Sequence, residues 1–413
     1  MSRIAIIGSG ISGLTSAYLL SQKHDITLFE ANDTLGGHTA TVDVHVDGQD
    51  HAIDTGFIVF NDRTYPNFLR LLERTGVRKQ ATEMSFSVQH ALSGIEYNGN
   101  NLSSLFAQRR NLLSPRFYGF IREILRFNRL SKEALKSTAA QNTLGDFLQQ
   151  HGFSDFFASH YILPMVAAIW SSSLEDARAF PLAFFLRFFN HHGLLNVVDR
   201  PQWYVIEGGS RSYIPALTQP LQDIRLGQAV SAVERIDSRV RLTVNGQQEI
   251  FDEVIIACHS DQALALLKDA SSDEQAILGN LAYRNNDVVL HTDERLLPDN
   301  RRAWASWNFW QGEAEDTPPA VTYNMNILQG LDTPTTFCVT LNRSSVIDPT
   351  KILRRFTYAH PVYNQQTIDA QARRLDICGY RHTHFCGAYW YNGFHEDGVS
   401  SALDVCTRFG VTL

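Results

Sequence analysis

The N-terminal segment carries the pattern that most restricts the fold: an apolar run, a glycine-rich turn and the start of a helix. Residues 4–7 are all apolar and lead directly into Gly8-Ser9-Gly10-Ile11-Ser12-Gly13. Such a run is typical of a strand buried on both faces of a parallel sheet. Gly8 would permit the tight turn, Gly10 would let a phosphate approach the backbone, and Gly13 would let the helix pack on the strand. The N-terminus of that helix would favour a pyrophosphate, so the pattern predicts a dinucleotide site.

An acidic residue supports this interpretation. Glu30 closes the second apolar run, 17 residues after Gly13. A carboxylate at this point can accept hydrogen bonds from a ribose diol, and it repels a 2′-phosphate, which disfavours NADP. Glycine strings alone are common in structural turns, but the position between a strand and a helix makes the nucleotide interpretation the stronger one.

Elements of the same kind return twice later in the chain. A strand, a glycine turn and a helix are predicted across residues 203–217, and strands across residues 239–244 and 250–257. A strand, a loop and a helix are predicted across residues 385–409. Between the first two groups, residues 65–196 are predicted to be mostly helical. We therefore expect two interleaved domains rather than two domains joined end to end.

A second glycine motif decides between NAD and FAD. Gly36-Gly37-His38 begins six residues after Glu30. Its two glycines provide a second stretch of backbone that a ligand can approach closely, which a simple NAD dehydrogenase does not need. With this motif, the sequence resembles the flavin-dependent amine oxidase and phytoene desaturase superfamily. Further matches to the superfamily's motifs are Asp54-Thr55-Gly56, Gly208-Gly209-Ser210, Val230, residues 252–257, Phe385-Cys386-Gly387-Ala388 and Gly393-Phe394-His395-Glu396-Asp397-Gly398.

The resemblance implies noncovalently bound FAD and an α/β fold of the amine oxidase type. A Rossmann-like FAD-binding domain, residues 1–72, 200–270 and 370–413, would be interleaved with a mixed α+β substrate domain, residues 73–199 and 271–369. The cofactor-binding residues that it implies are Gly8, Gly10, Ile11, Ser12, Gly13, Glu30, Ala31, Gly36, Gly37, His38, Thr55, Gly56, Phe57, Val230, Gly387, Phe394, Glu396, Asp397 and Gly398.

A closer resemblance is to a bacterial group of predicted FAD-binding proteins, which are similar to the flavin-type N-terminal domain of plant cyclopropane fatty acid synthases. The segments that carry it are residues 55–61, 109–113, 199–203 and 394–398. It implies a link to fatty-acyl or phospholipid modification. We therefore expect an FAD-dependent oxidoreductase of dehydrogenase, desaturase or isomerase type that acts on such a substrate.

Two alternatives stay open. One is a flavin amine oxidase, although amine oxidases usually keep a lysine near the flavin and residues 287–341, which should face the substrate, contain none. The other is a non-catalytic flavoprotein that partners a lipid-modifying methyltransferase.

The catalytic candidates are Tyr323, Asn326 and His395. Strand alternation would put Tyr323 and Met325 on one face and Asn324 and Asn326 on the other. His395 would lie beside the flavin and could move protons near neutral pH. The alternative for Tyr323 is a core aromatic and for Asn326 an edge amide, and for His395 it is a structural or pyrophosphate-facing role.

Composition restricts the partners and the location. The net charge of −7 gives no general attraction to nucleic acid, so we expect no nucleic-acid partner. The five cysteines form no Cys-x-x-Cys unit and no zinc spacing, which indicates reduced thiols, no metal site and a cytoplasmic protein. The N-terminal residues show no signal-peptide pattern, and no apolar stretch is long enough to span a bilayer.

Two segments have a double interpretation. Residues 109–129 contain six arginines and one acid, Glu123, interleaved with apolar residues. A basic amphipathic helix of this kind can lie on the inner face of an anionic membrane, or its arginines can pair with the acids of the chain. Residues 180–189 are rich in phenylalanine and would line an acyl tunnel or pack in the core.

Overall fold

The computed structural model describes residues 1–136, 142–312 and 319–413, and the elements named below are those of the described residues. The strands are β1 Arg3–Ile7, β2 Asp25–Phe29, β3 Thr41–Val46, β4 Gln49–Asp54, β5 Phe60–Asn61, β6 Lys79–Thr82, β7 Phe86–His90, β8 Ile95–Asn98, β9 Trp203–Ile206, β10 Asp223–Arg225, β11 Val230–Ile236, β12 Arg239–Val244, β13 Gln247–Phe251, β14 Glu253–Ile256, β15 Tyr283–His291, β16 Trp307–Gln311, β17 Ala320–Asn324, β18 Cys338–Leu341, β19 Ile352–Pro361 and β20 Thr383–Phe385. The helices are α1 Ile11–Leu20, α2 Pro66–Thr75, α3 Leu102–Leu105, α4 Pro115–Ala134, α5 Leu144–Gln150, α6 Asp155–Phe157, α7 Leu163–Trp170, α8 Leu174–Arg178, α9 Leu182–His191, α10 Ile214–Thr218, α11 Ser260–Leu266, α12 Ser272–Gly279, α13 Met325–Gln329, α14 Gln365–Ala372, α15 Arg374–Ile377 and α16 His395–Arg408.

A five-stranded parallel sheet carries the predicted nucleotide motifs. Its order is β10-β2-β1-β14-β20, so the sheet is assembled from chain segments more than a hundred residues apart. The apolar run of β1 lies in the middle of the sheet, paired with β2 on one side and β14 on the other, and is almost fully buried. The predicted Rossmann-like α/β fold is therefore confirmed, and its sheet is assembled from the N-terminal, middle and C-terminal segments. The domain boundaries themselves stay a prediction.

A seven-stranded mixed sheet forms the other large element of the fold. Its order is β19-β15-β18-β17-β16-β7-β8, and neighbouring strands are antiparallel except for β16 and β7. This sheet presents β19 toward the nucleotide-binding segments, as the site contacts below show.

Residues 65–196 are mostly helical, as predicted, although β6, β7 and β8 interrupt the helices within residues 79–98. The alternation of apolar Phe86 and Val88 with polar neighbours is a strand signal inside a stretch dominated by helical spacing. The single strand predicted over residues 250–257 is divided at Asp252, whose carboxylate accepts a hydrogen bond from Arg3 N at 2.8 Å.

Helices α4 to α9 form a lobe with its own core. This core is largely aromatic, and the phenylalanines of residues 180–189 are all buried in it or at its edge.

The basic segment, residues 109–129, begins with a short 3₁₀ turn, Arg109–Leu113, and continues into α4, which begins after the Ser114 cap. Among the described helices, none combines the length and the apolar character needed to cross a membrane.

Candidate active site

The predicted glycine turn joins β1 to α1. Gly8 has a φ of +101°, a left-handed value that favours glycine, and its N–H donates to Phe29 O at 2.8 Å. A side chain at Gly13 would overlap the Gly8 carbonyl, so α1 packs directly on the turn. A Cβ on Gly10 would meet no atom within 4 Å. The first turn of α1 has no acidic residue and no side-chain cap, which leaves its N–H groups free for an anion.

The carboxylate of Glu30 is fixed beside this turn. Its Oε2 accepts hydrogen bonds from Ser9 N at 3.0 Å and from Ser9 Oγ at 2.6 Å. Its Oε1 accepts from Asn32 N at 3.0 Å and from Asn32 Nδ2 at 2.8 Å. These four hydrogen bonds use the roughly four acceptor sites of the carboxylate, so a ribose diol bound here would replace or share one of the present donors.

The second glycine motif lies against the first. Gly36 N donates to Ser9 O at 3.1 Å and to Ser9 Oγ at 3.2 Å. A Cβ on Gly37 would stand 3.3 Å from the Gly10 Cα atom. The two glycine motifs thus form one surface of bare backbone.

His38 continues from this surface into a group of aromatic side chains. Its ring centroid lies 5.2 Å from that of Tyr358, 5.6 Å from that of His360 and 5.8 Å from that of His259. Burial, assisted by the two other histidines, lowers the pKa of His38 to about 3, so its imidazole is neutral at pH 7. Its Nε2 is buried and has no hydrogen-bond partner in the described structure. The Tyr358 hydroxyl bonds to Thr55 Oγ1 at 2.9 Å.

Asp54, the last residue of β4, connects the loop before Phe57 to the middle glycine motif, which is Gly208-Gly209-Ser210. Its Oδ1 accepts hydrogen bonds from Thr41 Oγ1 at 2.6 Å, Ser210 N at 2.8 Å and Ser210 Oγ at 2.9 Å. Burial raises the pKa of Asp54 to about 6, and these hydrogen bonds oppose that shift. A side chain at Gly56 would overlap the carbonyl of His38. The first, second and middle motifs are therefore packed on one another.

His395 lies at the junction of three chain segments. Its ring stacks on Phe57, with centroids 3.4 Å apart and planes 11° apart. Its Nε2 is 3.0 Å from the Tyr213 hydroxyl and 3.2 Å from Thr39 Oγ1. Burial, and secondarily the charge of a protonated His38, hold the pKa of His395 well below its usual range. It is therefore a neutral imidazole that joins the N-terminal, middle and C-terminal segments.

The two acids at the start of α16 have different surroundings. Glu396 accepts hydrogen bonds from Asn67 N at 3.1 Å and Phe68 N at 2.8 Å, so it caps the N-terminus of α2. Asp397 accepts from Phe394 N at 2.8 Å and thereby caps its own helix. Burial raises the pKa of Asp397 to about 7. In the described structure both carboxylates accept hydrogen bonds from backbone N–H groups, Glu396 at the start of α2 and Asp397 at the start of its own helix. Their predicted cofactor-binding roles stay predictions.

The C-terminal helix is seated on the glycine turn. A Cβ on Gly398 would stand 2.6 Å from Ile11 Cγ2 and 3.1 Å from Ser12 Oγ. Gly387, at the end of β20, donates its N–H to Ser401 Oγ at 2.9 Å. The predicted motifs of the first and last segments are thus brought into direct contact.

Comparison with known proteins agrees with this geometry. The sequence profile described as flavin containing amine oxidoreductase matches residues 11–326, more than half of the chain. The chain belongs to this family. It is therefore a flavin-dependent oxidoreductase, and its cofactor is FAD.

The chain is also similar in sequence to distant curated relatives. Rat (Rattus norvegicus) prenylcysteine oxidase 1 is 24% identical over 320 residues, which cover 69% of this chain and 58% of the relative. Maize (Zea mays) zeta-carotene desaturase is 36% identical over 75 residues, 18% of this chain and 12% of the relative. The matched regions thus span less than two thirds of either curated relative.

Solved structures of similar fold cover the whole chain. The CLA-producing fatty acid isomerase from P. acnes has a TM-score of 0.71 at 17% identity, covering 99% of this chain and 98% of the other. Cyclohexylamine oxidase from Brevibacterium oxydans has a TM-score of 0.70 at 14% identity, covering 99% of both chains. At these identities the likeness confirms the amine oxidase-like fold alone.

The family's cofactor fits the surface formed by the glycine motifs. Gly10 and Gly37 leave room for a pyrophosphate beside the free N–H groups of α1, and Glu30 is placed for a ribose. The unpaired Nε2 of His38 is a buried polar atom for which a cofactor would provide the missing partner. FAD bound here supplies the capacity to take up a hydride and release it to an acceptor. The glycine motifs, Glu30 and His38 would hold and orient it here.

Two other predicted cofactor residues lie at the edge of this surface. Val230 opens β11, and the loop before it is held by Gln228 N donating to Glu30 O at 3.0 Å. This places the start of β11 next to Glu30. Ala31 follows Glu30 directly and is exposed.

Tyr323 and Asn326 are held by the seven-stranded sheet. The predicted alternation across residues 323–326 is wrong, because β17 ends at Asn324, whose side chain caps α13 by accepting from Ile327 N at 3.3 Å. Asn326 Nδ2 donates to Thr335 O and its Oδ1 accepts from Phe337 N, both at 2.8 Å. Tyr323 packs edge-on against Trp307. Their catalytic roles stay predictions.

The aromatic residues of β19 were missed by sequence reasoning. Tyr358 and His360 both approach His38, and they are two positions apart, so they share one face of a strand. That period-two spacing was the available signal. Tyr213, which bonds to His395, was also missed, because a single tyrosine in a helical turn carries no pattern of its own.

Proposed function

We propose that this oxidoreductase acts on a fatty-acyl or phospholipid substrate in a dehydrogenase, desaturase or isomerase type of reaction. The observation that carries the proposal is an aromatic wall that runs from the helical lobe to the start of α16. Phe188 of α9 stacks on Phe394 with ring centroids 5.2 Å apart, and Phe184 stacks on Tyr363 at 5.3 Å. Trp170 packs against Phe188 at 4.7 Å. Such a wall suits a hydrocarbon chain.

The polar groups beside the wall support a neutral substrate over an amine. Burial lowers the pKa of His360 to about 4, so it is neutral at pH 7, as His38 is. The carboxylates of Asp54 and Asp397 are buried, and each accepts a hydrogen bond from a backbone N–H group. The strands of the seven-stranded sheet contain no lysine. The matched proteins include a carotene desaturase, a prenylcysteine oxidase and a fatty acid isomerase by name, which also supports a hydrocarbon-bearing substrate.

The test is anaerobic mixing of the FAD-loaded protein with separate classes of reductant. We expect phospholipids or free fatty acids to bleach the flavin absorbance in a dehydrogenation or desaturation, or to yield a double-bond isomer without lasting bleaching in an isomerisation. Polyamines should leave the flavin absorbance unchanged. Bleaching by polyamines alone would replace the proposal with an amine oxidase. No bleaching by any of them and no isomer formed, combined with tight binding to a lipid-modifying methyltransferase, would favour a non-catalytic partner.

We also propose that the protein docks on an anionic membrane surface through α4 and the turn before it. None of the six arginines of residues 109–129 forms an ion pair with an acid of the described ranges. Arg116 and Arg126 instead lie over the rings of Phe156 and Phe153, at 4.0 and 4.3 Å, which leaves their charge uncompensated. The one acid, Glu123, is occupied by Ser154 N at 2.8 Å.

Exposed apolar residues share this surface. Leu113 is 90% exposed, and Leu112, Tyr118 and Leu125 are each about half exposed. A groove of about 600 Å³ lies between α4 and Phe156. Basic residues contribute roughly 1 kcal/mol each near an anionic leaflet, and apolar residues beside them can insert at the interface.

Vesicle co-sedimentation tests this location. The protein should bind vesicles containing phosphatidylglycerol and not pure phosphatidylcholine, and high salt should release it. Replacing Arg122 and Arg129 by Gln should weaken binding about thirtyfold, the effect of losing roughly 2 kcal/mol. The matched control replaces Arg354 and Arg355 by Gln. Both arginines are exposed on β19, and their replacement changes the net charge by the same amount. Equal weakening by both pairs of substitutions would show that vesicle binding depends on net charge and not on the surface formed by α4.

A further inference from the structure

A small cavity lies beside the aromatic wall, between the helical lobe and β19. Its volume is about 90 Å³, and its lining includes Trp170, Ser172, Phe180, Arg284 and His360. A water molecule occupies about 30 Å³, so this space suits a small polar group of a larger ligand. The cavity belongs to neither the glycine motifs nor the helix start of α16.

His360 provides the polar side of this cavity. Its Nδ1 lies 3.0 Å from the hydroxyl of Ser171. With that nitrogen engaged, the other ring nitrogen is the one left to bind a ligand. The ring also lies 5.6 Å from that of His38, so one side chain links the cavity to the cofactor-binding surface.

The residue that positions His360 has an unusual backbone. Ser171 ends α7 with a φ of +49° and a ψ of +41°, a left-handed conformation that costs about 1 kcal/mol or more for a residue with a side chain. The surrounding structure maintains this conformation, and with it the hydroxyl of Ser171 reaches His360. Strained residues of this kind concentrate at ligand-binding sites.

The charges around the cavity favour a neutral ligand group. Arg284 is the cation of the lining, and its Nη1 already pairs with Asp176 Oδ2 at 2.9 Å. Burying a carboxylate without a free partner is costly, whereas a carbonyl needs only a hydrogen-bond donor. Trp170 also lines the cavity, and its Nε1–H is a donor with no acceptor in the described structure.

We infer that this cavity binds the ester carbonyl of a lipid acyl chain, with His360 as the donor and Ser171 as the residue that positions it. The inference rests on the proposed lipid substrate and makes it more specific: an esterified acyl chain is preferred over a free fatty acid. The hydrocarbon part then lies along the wall formed by Phe184 and Phe188.

Binding to the FAD-loaded wild-type protein gives the first test. Calorimetric titrations use dioctanoyl phosphatidylglycerol, its dioctyl ether analogue, which lacks both carbonyls, and octanoate. The diester should bind about tenfold more tightly than the diether, since loss of one buried hydrogen bond costs about 1–3 kcal/mol. Equal affinity of diester and diether, or tighter binding of octanoate than of the diester, overturns the inference.

Variants assign the effect to His360. His360→Leu should weaken diester binding about tenfold and leave diether binding unchanged, while His360→Gln, which keeps a donor, should restore most of the difference. Ser171→Ala should weaken diester binding about threefold. His45→Leu, an exposed histidine on β3, is the control. Equal weakening of diester and diether by His360→Leu would mean a packing role only.

The two proposals fail differently. If no lipid bleaches the flavin or is isomerised but the diester is still preferred over the diether, the proposed reaction is wrong and the carbonyl site remains. If lipids bleach the flavin and the diether reacts as well as the diester, the proposed function remains and the carbonyl site is wrong.

Discussion

At the scale of single residues, Gly10 and Gly13 share one turn but have opposite surroundings. A Cβ on Gly13 would overlap the Gly8 carbonyl, whereas a Cβ on Gly10 would meet nothing within 4 Å. We expect Gly13→Ala to destabilise the apoprotein by about 1–3 kcal/mol through overpacking. Gly10→Ala should leave the apoprotein's stability unchanged and weaken FAD binding at least tenfold. Chemical denaturation and FAD titration measure the two effects.

Gly99→Ala is the control for both, because Gly99 also has free space around it and lies far from the motifs. If Gly10→Ala bound FAD as tightly as the wild type, the surface between the glycine motifs would not be the pyrophosphate site.

His395 gives a second prediction at this scale. Because burial keeps its pKa well below the usual range, it does not gain or lose a proton between about pH 6 and pH 8. His395→Gln should therefore leave the shape of the kcat/KM pH profile unchanged in that interval. FAD affinity should fall on the order of tenfold, since the stack on Phe57 and the bonds to Tyr213 and Thr39 are disturbed. Loss of one limb of the profile would instead support the proton-carrier role expected from the sequence.

At the scale of elements, a buried ion pair joins β11 to α12. Arg235 and Glu274 are 2% and 4% exposed, and Glu274 also accepts a hydrogen bond from Ser271 N at 2.8 Å. Arg235 also pairs with Asp269 at 3.3 Å, so Glu274→Gln removes one of two acids and should lower the free energy of unfolding by about 1.5–3 kcal/mol, the contribution of a charged hydrogen bond. The control is Glu234→Gln, whose half-exposed pair with Arg241 contributes within about 1 kcal/mol. Similar losses for both variants in urea denaturation would contradict this difference.

The elements also show what the sequence could and could not predict. The turn from β1 to α1 and the strand, loop and helix across residues 385–409 were predictable because glycine spacing and apolar periodicity are local signals. The contact of Glu396 with the N-terminus of α2 was not, because it joins residues 328 and 329 positions apart. The same holds for Tyr358 and His360, whose partners lie in the first segment of the chain. Cofactor motifs are local, whereas the substrate side is built from distant pairs.

At the scale of the whole molecule, the numerous buried histidines determine how stability changes with pH. Their pKa values are lowered by burial from an unfolded value of about 6.5. The affected residues are His38 and His160, to about 3, and His192, His291 and His360, to about 4. A lowered pKa contributes stability that is present above pH 6.5 and is lost as the pH falls toward the folded value.

Two buried carboxylates act in the opposite direction. The pKa of Asp54 is raised to about 6 and that of Asp397 to about 7, from about 3.8 when unfolded. Their contribution is present below pH 3.8 and is lost as the pH rises through 6 to 7. Between about pH 4.5 and 6, unfolding therefore takes up protons at these five histidines and at His395 and releases them at two carboxylates, a net uptake of at least three.

We accordingly expect the free energy of unfolding of the FAD-loaded protein to fall by roughly 4 kcal/mol for each pH unit below 6. Urea denaturation at a series of pH values measures this slope. His192→Gln, which removes a buried histidine outside the cofactor motifs, should reduce the uptake by about one proton, because one group no longer has to be kept neutral on folding. His45→Gln changes an exposed side chain and should leave the slope unchanged. Stability that increased on acidification would mean that the buried carboxylates, rather than the histidines, dominate the proton balance.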